Sequence, residues 1–193
     1  MARTAETGTA ERILDVAEAL VQSRGFNGFS YADVAEALDI SKAALHYHFP
    51  GKAELGEALI ARYASRFGDA LVAVDRDEPD GPAKLRAYAR LYADVFQDDR
   101  MCLCGMLAAD YATLPDPMRE RVVRFFDDNE RWLARVLEAG RSDGTLRFHG
   151  SSRSVARTLV GGLEGAMLVA RPYGDIRRFR AAAALLIDGL AVD

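Results

Sequence analysis

The chain has 193 residues, half of them hydrophobic, with 25 Lys and Arg against 29 Asp and Glu; its net charge of −4 excludes wholesale coating of nucleic acid but not a local basic face. No run of about 18 apolar residues offers a membrane span, and the opening MARTAETGTAER lacks an apolar signal core. Two cysteines two residues apart make no disulfide framework, so a reducing cytoplasm, away from any membrane, is the expected setting.

Apolar residues recur at spacings of three and four almost throughout, and strand-like alternation is nearly absent, so the expected fold is all-α with about nine helices. The first helix is expected from about Ala10 to Arg24, capped by Thr9, with Ile13, Val16, Ala17, Leu20 and Val21 on one face. Gly25 and Gly28 end it. Ser30 then caps a second helix over 31–38, and Asp33, three residues on, makes a short-armed capping box. Asp39-Ile40 forms a turn, and Ser41 caps a third helix from Lys42 to about His48, which Pro50-Gly51 stops.

A long fourth helix is expected from Lys52 to about Val74, carrying Leu55, Leu59, Tyr63, Phe67 and Leu71 on one face, before a charged loop over 75–82. Further helices are expected at about 82–97, 101–111, 115–140, 153–170 and 176–191, with a turn-rich link at 142–150. The simplest division is an N-terminal domain of residues 1–55 and a helical domain of residues 56–193.

The most informative stretch is residues 25–55. Its third helix crowds Lys42, His46, Tyr47 and His48 into a turn and a half, a composition suited to contact outside the protein. A helix-turn-helix braces one helix with another so that the second enters the major groove of double-stranded DNA. Ser30, Tyr31, Ser41, Lys42, Tyr47 and Lys52 are donors near helix N-termini, where phosphate is favoured. Ala43 and Ala44 are small enough for close approach to thymine methyls, and His46 and His48 are candidates for base or phosphate contact. A three-helix cluster with a merely solvated polar face fits the same pattern.

The word SKAALHYHFPGKAEL goes further. It resembles the recognition helix of the TetR-type transcriptional regulators, in which a Tyr-x-His-Phe-x-x-Lys run closes the DNA reader and opens helix four. Tyr47, His48, Phe49 and Lys52 stand at those positions, and Gly25-Phe26, Ser30, Val34-Ala35 and Leu38 fit upstream. The resemblance covers roughly residues 10–60. It implies that Tyr47 and Lys52 hold phosphates, that Lys42, Ala43, Ala44 and His46 lie nearest the bases, and that Phe49 plugs the core. It also implies a homodimer, most simply a repressor, released from a near-palindromic operator by a small effector. The N-terminal arm departs from the pattern, with Arg3 as its single basic residue. Residues 1–50 carry more acids than bases, so binding is expected to be salt-sensitive with modest nonspecific affinity.

Downstream, soft and aromatic residues gather in helices five to seven: Tyr88, Tyr92, Phe96, Met101, Cys102, Met106, Phe125 and Trp132. They suit a small, fairly hydrophobic effector, with Asn129 and Glu164 as polar anchors and Met167 beside them, although each alone could simply fill a core. In helix eight Leu159, Gly162, Leu163, Gly165 and Ala166, and in helix nine Ala182 and Leu186, read as half of a four-helix dimer interface.

Cys102 and Cys104 raise a minor redox-responsive alternative, but side chains two apart on a helix diverge. His46 and His48 likewise point roughly 160° apart around a helix axis, so no metal is expected there. No cofactor is expected either. There is no Gly-rich phosphate loop, metal-spaced cluster or credible triad, so catalysis, like a scaffold that does not bind DNA, is the weaker reading.

Overall fold

Helical propensity is satisfied along most of the chain. The computed structural model describes residues 2–192, and for residues 2–7 and Gln97 the backbone alone, so the side chain of Arg3 lies outside the described residues. Nine α-helices are described: α1 Ala2–Arg24, α2 Tyr31–Leu38, α3 Lys42–His48, α4 Lys52–Asp77, α5 Gly81–Gln97, α6 Leu103–Ala109, α7 Asp116–Asp143, α8 Ser152–Ala170 and α9 Ile176–Asp188. Among the described residues, β pairing is limited to one isolated bridge between Leu146 and Ala191.

The helix ends differ from expectation where composition permits a longer helix. α1 begins at Ala2, so Thr9 is an interior residue rather than a cap. Ala, Arg and Glu in that stretch are all good helix formers. α4 runs on through Asp75, Arg76 and Asp77, because charge does not break a helix; Pro79 does. Asp80 then caps α5 by accepting the Ala83 amide at 2.8 Å.

Two compact units divide the chain. Residues 1–65 and 103–123 form one, and residues 66–102 and 124–193 form the other. The unit that holds α1–α3 therefore includes α6 and the start of α7, which a single division near residue 55 does not anticipate. The reason is apolar burial. Leu103, Cys104, Leu107, Leu114, Met118 and Val122 are all buried, and the Met118 thioether lies against Gly56 so closely that a Cβ there would meet its Sδ at 2.6 Å.

In the first unit, Ile13, Ala17, Val21, Val34 and Leu45 are fully enclosed. Gly25 ends α1 with φ +81°, a left-handed conformation that disfavours a side chain. Arg62 of α4 ties down α1 by reaching Glu11, Asp15 and Glu18 at 3.1, 2.8 and 2.8 Å. In the second unit, α5, α8 and α9 pack against one another. Leu146, from the link after α7, is a buried plug there. It fills space that a side chain at Gly81 or Gly140 would occupy.

Candidate DNA interface and effector site

The reader is built from its caps inward. The Asp33 carboxylate accepts the Ser30 amide at 2.7 Å and the Ser30 hydroxyl at 2.6 Å, which opens α2. Asp39 ends it in the left-handed region, with φ 53°. Ser41 accepts the Ala44 amide at 3.1 Å and opens α3. Of the seven residues of α3, Leu45 alone is buried. Ser41, Lys42, Ala43, His46 and Tyr47 are exposed, Tyr47 by 73%, while Ala44 and His48 are half-buried. The expected contact surface is therefore one contiguous exposed face on a helix held by a single apolar anchor.

His46 has a defined polarity. Its Nδ1 stands 3.0 Å from the Pro50 carbonyl. A carbonyl only accepts, so Nδ1 carries a proton, and whenever the ring carries no second one Nε2 is an acceptor. An acceptor suits the amino groups of adenine or cytosine in the major groove.

Two expected phosphate donors are otherwise engaged. The Tyr31 hydroxyl donates to the Phe49 carbonyl at 3.0 Å, and burial, with the Glu54 charge, pushes its pKa up to about 12. The Lys52 ammonium donates to the Phe26 and Phe29 carbonyls at 2.5 Å each and lies over both rings. Burial pulls the pKa of Lys52 down, against the charges of Asp110 and Asp33. Both residues fasten the loop between α1 and α2 and the end of α3, where the sequence suggested direct contact with DNA.

Asp110 is the residue the sequence left without a role in the reader. From the end of α6, its carboxylate accepts the Phe26 amide at 2.7 Å and the Asn27 amide at 3.4 Å, and Asn27 Nδ2 donates to Thr113 at 2.8 Å. Gly25 is forced here as well, because a Cβ would lie 2.9 Å from the Asp110 carboxylate. No sequence signal announces a pair so far apart in the chain. Asp110→Ala is expected to leave the Phe26 amide unpaired and destabilise the unit by about 1–2 kcal/mol. Urea denaturation together with amide exchange at Phe26 checks this.

In the second unit most of the expected effector residues converge. The Tyr88 hydroxyl donates to Asn129 Oδ1 at 3.0 Å and lies 3.2 Å from the Tyr92 hydroxyl, and Asn129 Nδ2 donates to the Phe125 carbonyl at 2.8 Å. Trp132 stacks on Tyr88 with ring centroids 5.7 Å apart and donates its indole N–H to Asp75 at 2.9 Å. The Cys102 amide donates to Met167 Sδ at 3.3 Å. Glu164 shares hydrogen bonds with Cys102 and Tyr92, and burial pushes its carboxyl pKa up to about 7. Burial likewise raises Tyr88 and Tyr92, which remain neutral phenols. Phe67 completes the cluster, with its ring 5.3 to 6.2 Å from those of Phe125, Tyr88 and Tyr92; the sequence placed it only on the inner face of α4.

Phe96 stacks on Phe179 at 6.4 Å, and Met101 is buried. Met106 belongs to the first unit, near Gly25. Cys102 and Cys104 are both buried, and no disulfide joins them.

Of the expected dimer residues, Leu159 and Leu163 are core residues of their own unit, and Gly162 lies against Leu186 of the same chain, where a Cβ would meet Cδ1 at 2.8 Å. A helical repeat of 3.6 leaves such faces ambiguous until the packing partner is known. Gly165 stands in open space, and Ala166 and Ala182 are half-buried. Beside them Leu168, Val169 and Leu185 are exposed by 59%, 64% and 80%.

A short, outward-facing α3 braced by α1 and α2, followed by a separate helical unit, defines a helix-turn-helix transcriptional regulator. Comparison with known proteins gives the family. Residues 13–59 match the model of the bacterial regulatory proteins of the tetR family, and residues 81–186 match the tetracycline repressor-like C-terminal domain. The chain belongs to the TetR family and is a ligand-responsive, DNA-binding transcriptional regulator.

A TetR-family regulator from Agrobacterium tumefaciens shares 30% identity and superposes with a TM-score of 0.93, covering 97% of this chain and all of that one. A TetR regulator from Legionella pneumophila shares 33%, with a TM-score of 0.85 over 93% of this chain and 96% of its own. The transcriptional regulator AcuR of Cereibacter sphaeroides is 26% identical over 152 residues, 77% of this chain and 69% of that protein. Among the described residues no helix is long and apolar enough to cross a membrane, and no group of His, Cys, Asp and Glu could hold a metal ion.

Proposed function

We propose that the protein is a cytoplasmic, homodimeric repressor that binds a near-palindromic operator through α3 and is released by a small effector seated among α5, α7 and α8. The observation that carries the DNA half is the face of α3, with Lys42, Ala43, His46 and Tyr47 exposed around the single buried anchor Leu45. Tyr47 and Lys42 contact phosphate, and His46 reads a base edge. Two readers related by a twofold match two half-sites about one helical turn apart. Twofold pairing through α8 and α9 gives the exposed Leu168, Val169 and Leu185 a partner, since such patches are uncommon on a stable monomer. No catalytic step is assigned to the chain.

The effector must bind the DNA-incompetent state more tightly than the competent one, or nothing shifts. The aromatic cluster around Tyr88 supports an effector with an apolar body.

Selection of genomic fragments by the purified protein at near-physiological salt tests the reading. Enrichment of one short near-palindrome supports it, and failure to enrich any, before and after refolding to strip a copurified ligand, overturns it. On the selected site, Tyr47→Ala is expected to weaken binding to all sequences alike, whereas His46→Ala weakens the preferred base and leaves the others, by about tenfold in the ratio. Fluorescence anisotropy on single-base operator variants separates the two. Parental affinity and specificity in both variants would remove α3 from the interface.

A further inference from the structure

Tyr31 opens α2, yet its side chain packs on α3. It is half-buried, and its ring centroid lies 4.8 Å from that of His46, with the two planes at 49°. Its hydroxyl donates to the Phe49 carbonyl at 3.0 Å, and Pro50, the next residue, supplies the carbonyl that receives His46 Nδ1–H at 3.0 Å. Tyr31 therefore restrains His46 by two routes. One is the ring contact; the other is the Phe49–Pro50 segment that its hydroxyl holds. Burial keeps that hydroxyl protonated and able to donate.

These contacts fix which chemical group the exposed imidazole presents outward. A neutral imidazole has one donor and one acceptor nitrogen, and the bond made by one nitrogen decides the role of the other. With Nδ1–H spent on Pro50, Nε2 accepts. A half-turn of the ring about Cβ–Cγ brings carbon rather than Nδ1 to that carbonyl, and nothing then keeps the proton off Nε2. An Nε2–H group is a donor. It suits guanine or thymine oxygens and no longer matches the amino groups of adenine and cytosine.

Resting on the reading above in which His46 meets a base edge, we infer that Tyr31 is a positioning residue for operator specificity, which holds His46 as an acceptor for adenine or cytosine without itself touching DNA.

Direct phosphate contact by Tyr31 has a different consequence. It spends the hydroxyl on DNA, so loss of the hydroxyl alone would weaken binding to every sequence alike. In the folded chain the hydroxyl is spent on Phe49, and the ring carries the contact to His46.

The test takes the full chain and its Tyr31→Phe, Tyr31→Leu and His46→Ala variants through selection from a randomised duplex pool, with affinity for one fixed control duplex followed by anisotropy. Tyr31→Phe keeps the ring and is expected to retain the parental motif. Tyr31→Leu keeps apolar bulk without a ring. It is expected to lose about fivefold of the preference for adenine or cytosine at one position of the motif, the worth of one aromatic pair. That position is the one His46→Ala degrades, and affinity for the control duplex is expected to change by less than about twofold. Nitrogen NMR spectra of the free protein give a readout that a merely structural role leaves unmoved. The parent and Tyr31→Phe are expected to carry the His46 proton on Nδ1, and Tyr31→Leu to shift it towards Nε2. A folded Tyr31→Leu with the parental motif, a parent protonated at Nε2 alone, or a uniform loss of affinity in Tyr31→Phe would overturn the inference. The parent spectrum decides even where Tyr31→Leu fails to fold. A His46→Ala that keeps the parental motif would instead remove the base-reading role of His46, and the specificity role of Tyr31 with it, while a Tyr31-dependent Nδ1 proton would leave the local restraint standing.

Discussion

Glu164→Gln is expected to make the unliganded protein more stable, and increasingly so as pH rises. The folded state holds the Glu164 proton more tightly than the unfolded chain, because burial raises the carboxyl from its ordinary 4.5 to about 7. Below about pH 4.5 the acid is protonated in both states, and its contribution is fully present. Between about 4.5 and 7 the folded state binds more protons, so stability falls as pH rises. Glutamine cannot ionise and escapes that loss. The advantage of the variant is therefore near zero at pH 4.5 and reaches about 2–3 kcal/mol above pH 7.5. Thermal denaturation of both proteins across pH 4.5–8.5 measures it. A constant offset would show that Glu164 ionises freely in the folded protein.

The second large effect is expected at Gly165. Within one chain nothing stands within 4 Å of a Cβ built there, so Gly165→Leu has room in the monomer and improves helix propensity by about 0.8 kcal/mol. If two copies pair through this face, the new side chain is a wedge between them. The expected result is a well-folded monomer by sedimentation and circular dichroism, with operator affinity reduced at least a hundredfold because one reader replaces two. Gly162→Leu provides the contrast. Its Cβ would meet Leu186 of the same chain, so it should lower thermal stability itself. A Gly165→Leu dimer as stable as the parent would move the interface elsewhere.

Local interactions explain which features were legible in the sequence. Ser41 capping Ala44 and the turn at Asp39 each depend on residues within a few positions of one another. Periodicity carried Ile13, Ala17, Val21, Leu55 and Leu59 to the core for the same reason. The aromatic cluster was legible as a composition, and Tyr88, Tyr92, Asn129, Trp132 and Glu164 do meet.

Features that depend on distant partners were not legible. Tyr31 and Lys52 have the chemistry of phosphate donors, yet in the folded chain Tyr31 donates to the carbonyl of Phe49 and Lys52 to those of Phe26 and Phe29. On α8, the apolar face of Leu159 and Leu163 and the open face of Gly165, Leu168 and Val169 read alike from one strand of sequence. Only the neighbouring helices show which is already covered.

The sequence by itself determined an all-helical regulator with a short, polar, outward-facing third helix, because caps, turns and helical periodicity act over three or four residues. Tertiary structure alone decided that Asp110 fastens the reader, that Lys52 serves the loop between α1 and α2, and that Glu164 keeps an oxygen without a partner. A hydrogen bond or an enclosed atom depends on which distant groups arrive at the same point, and spacing along a chain does not encode that.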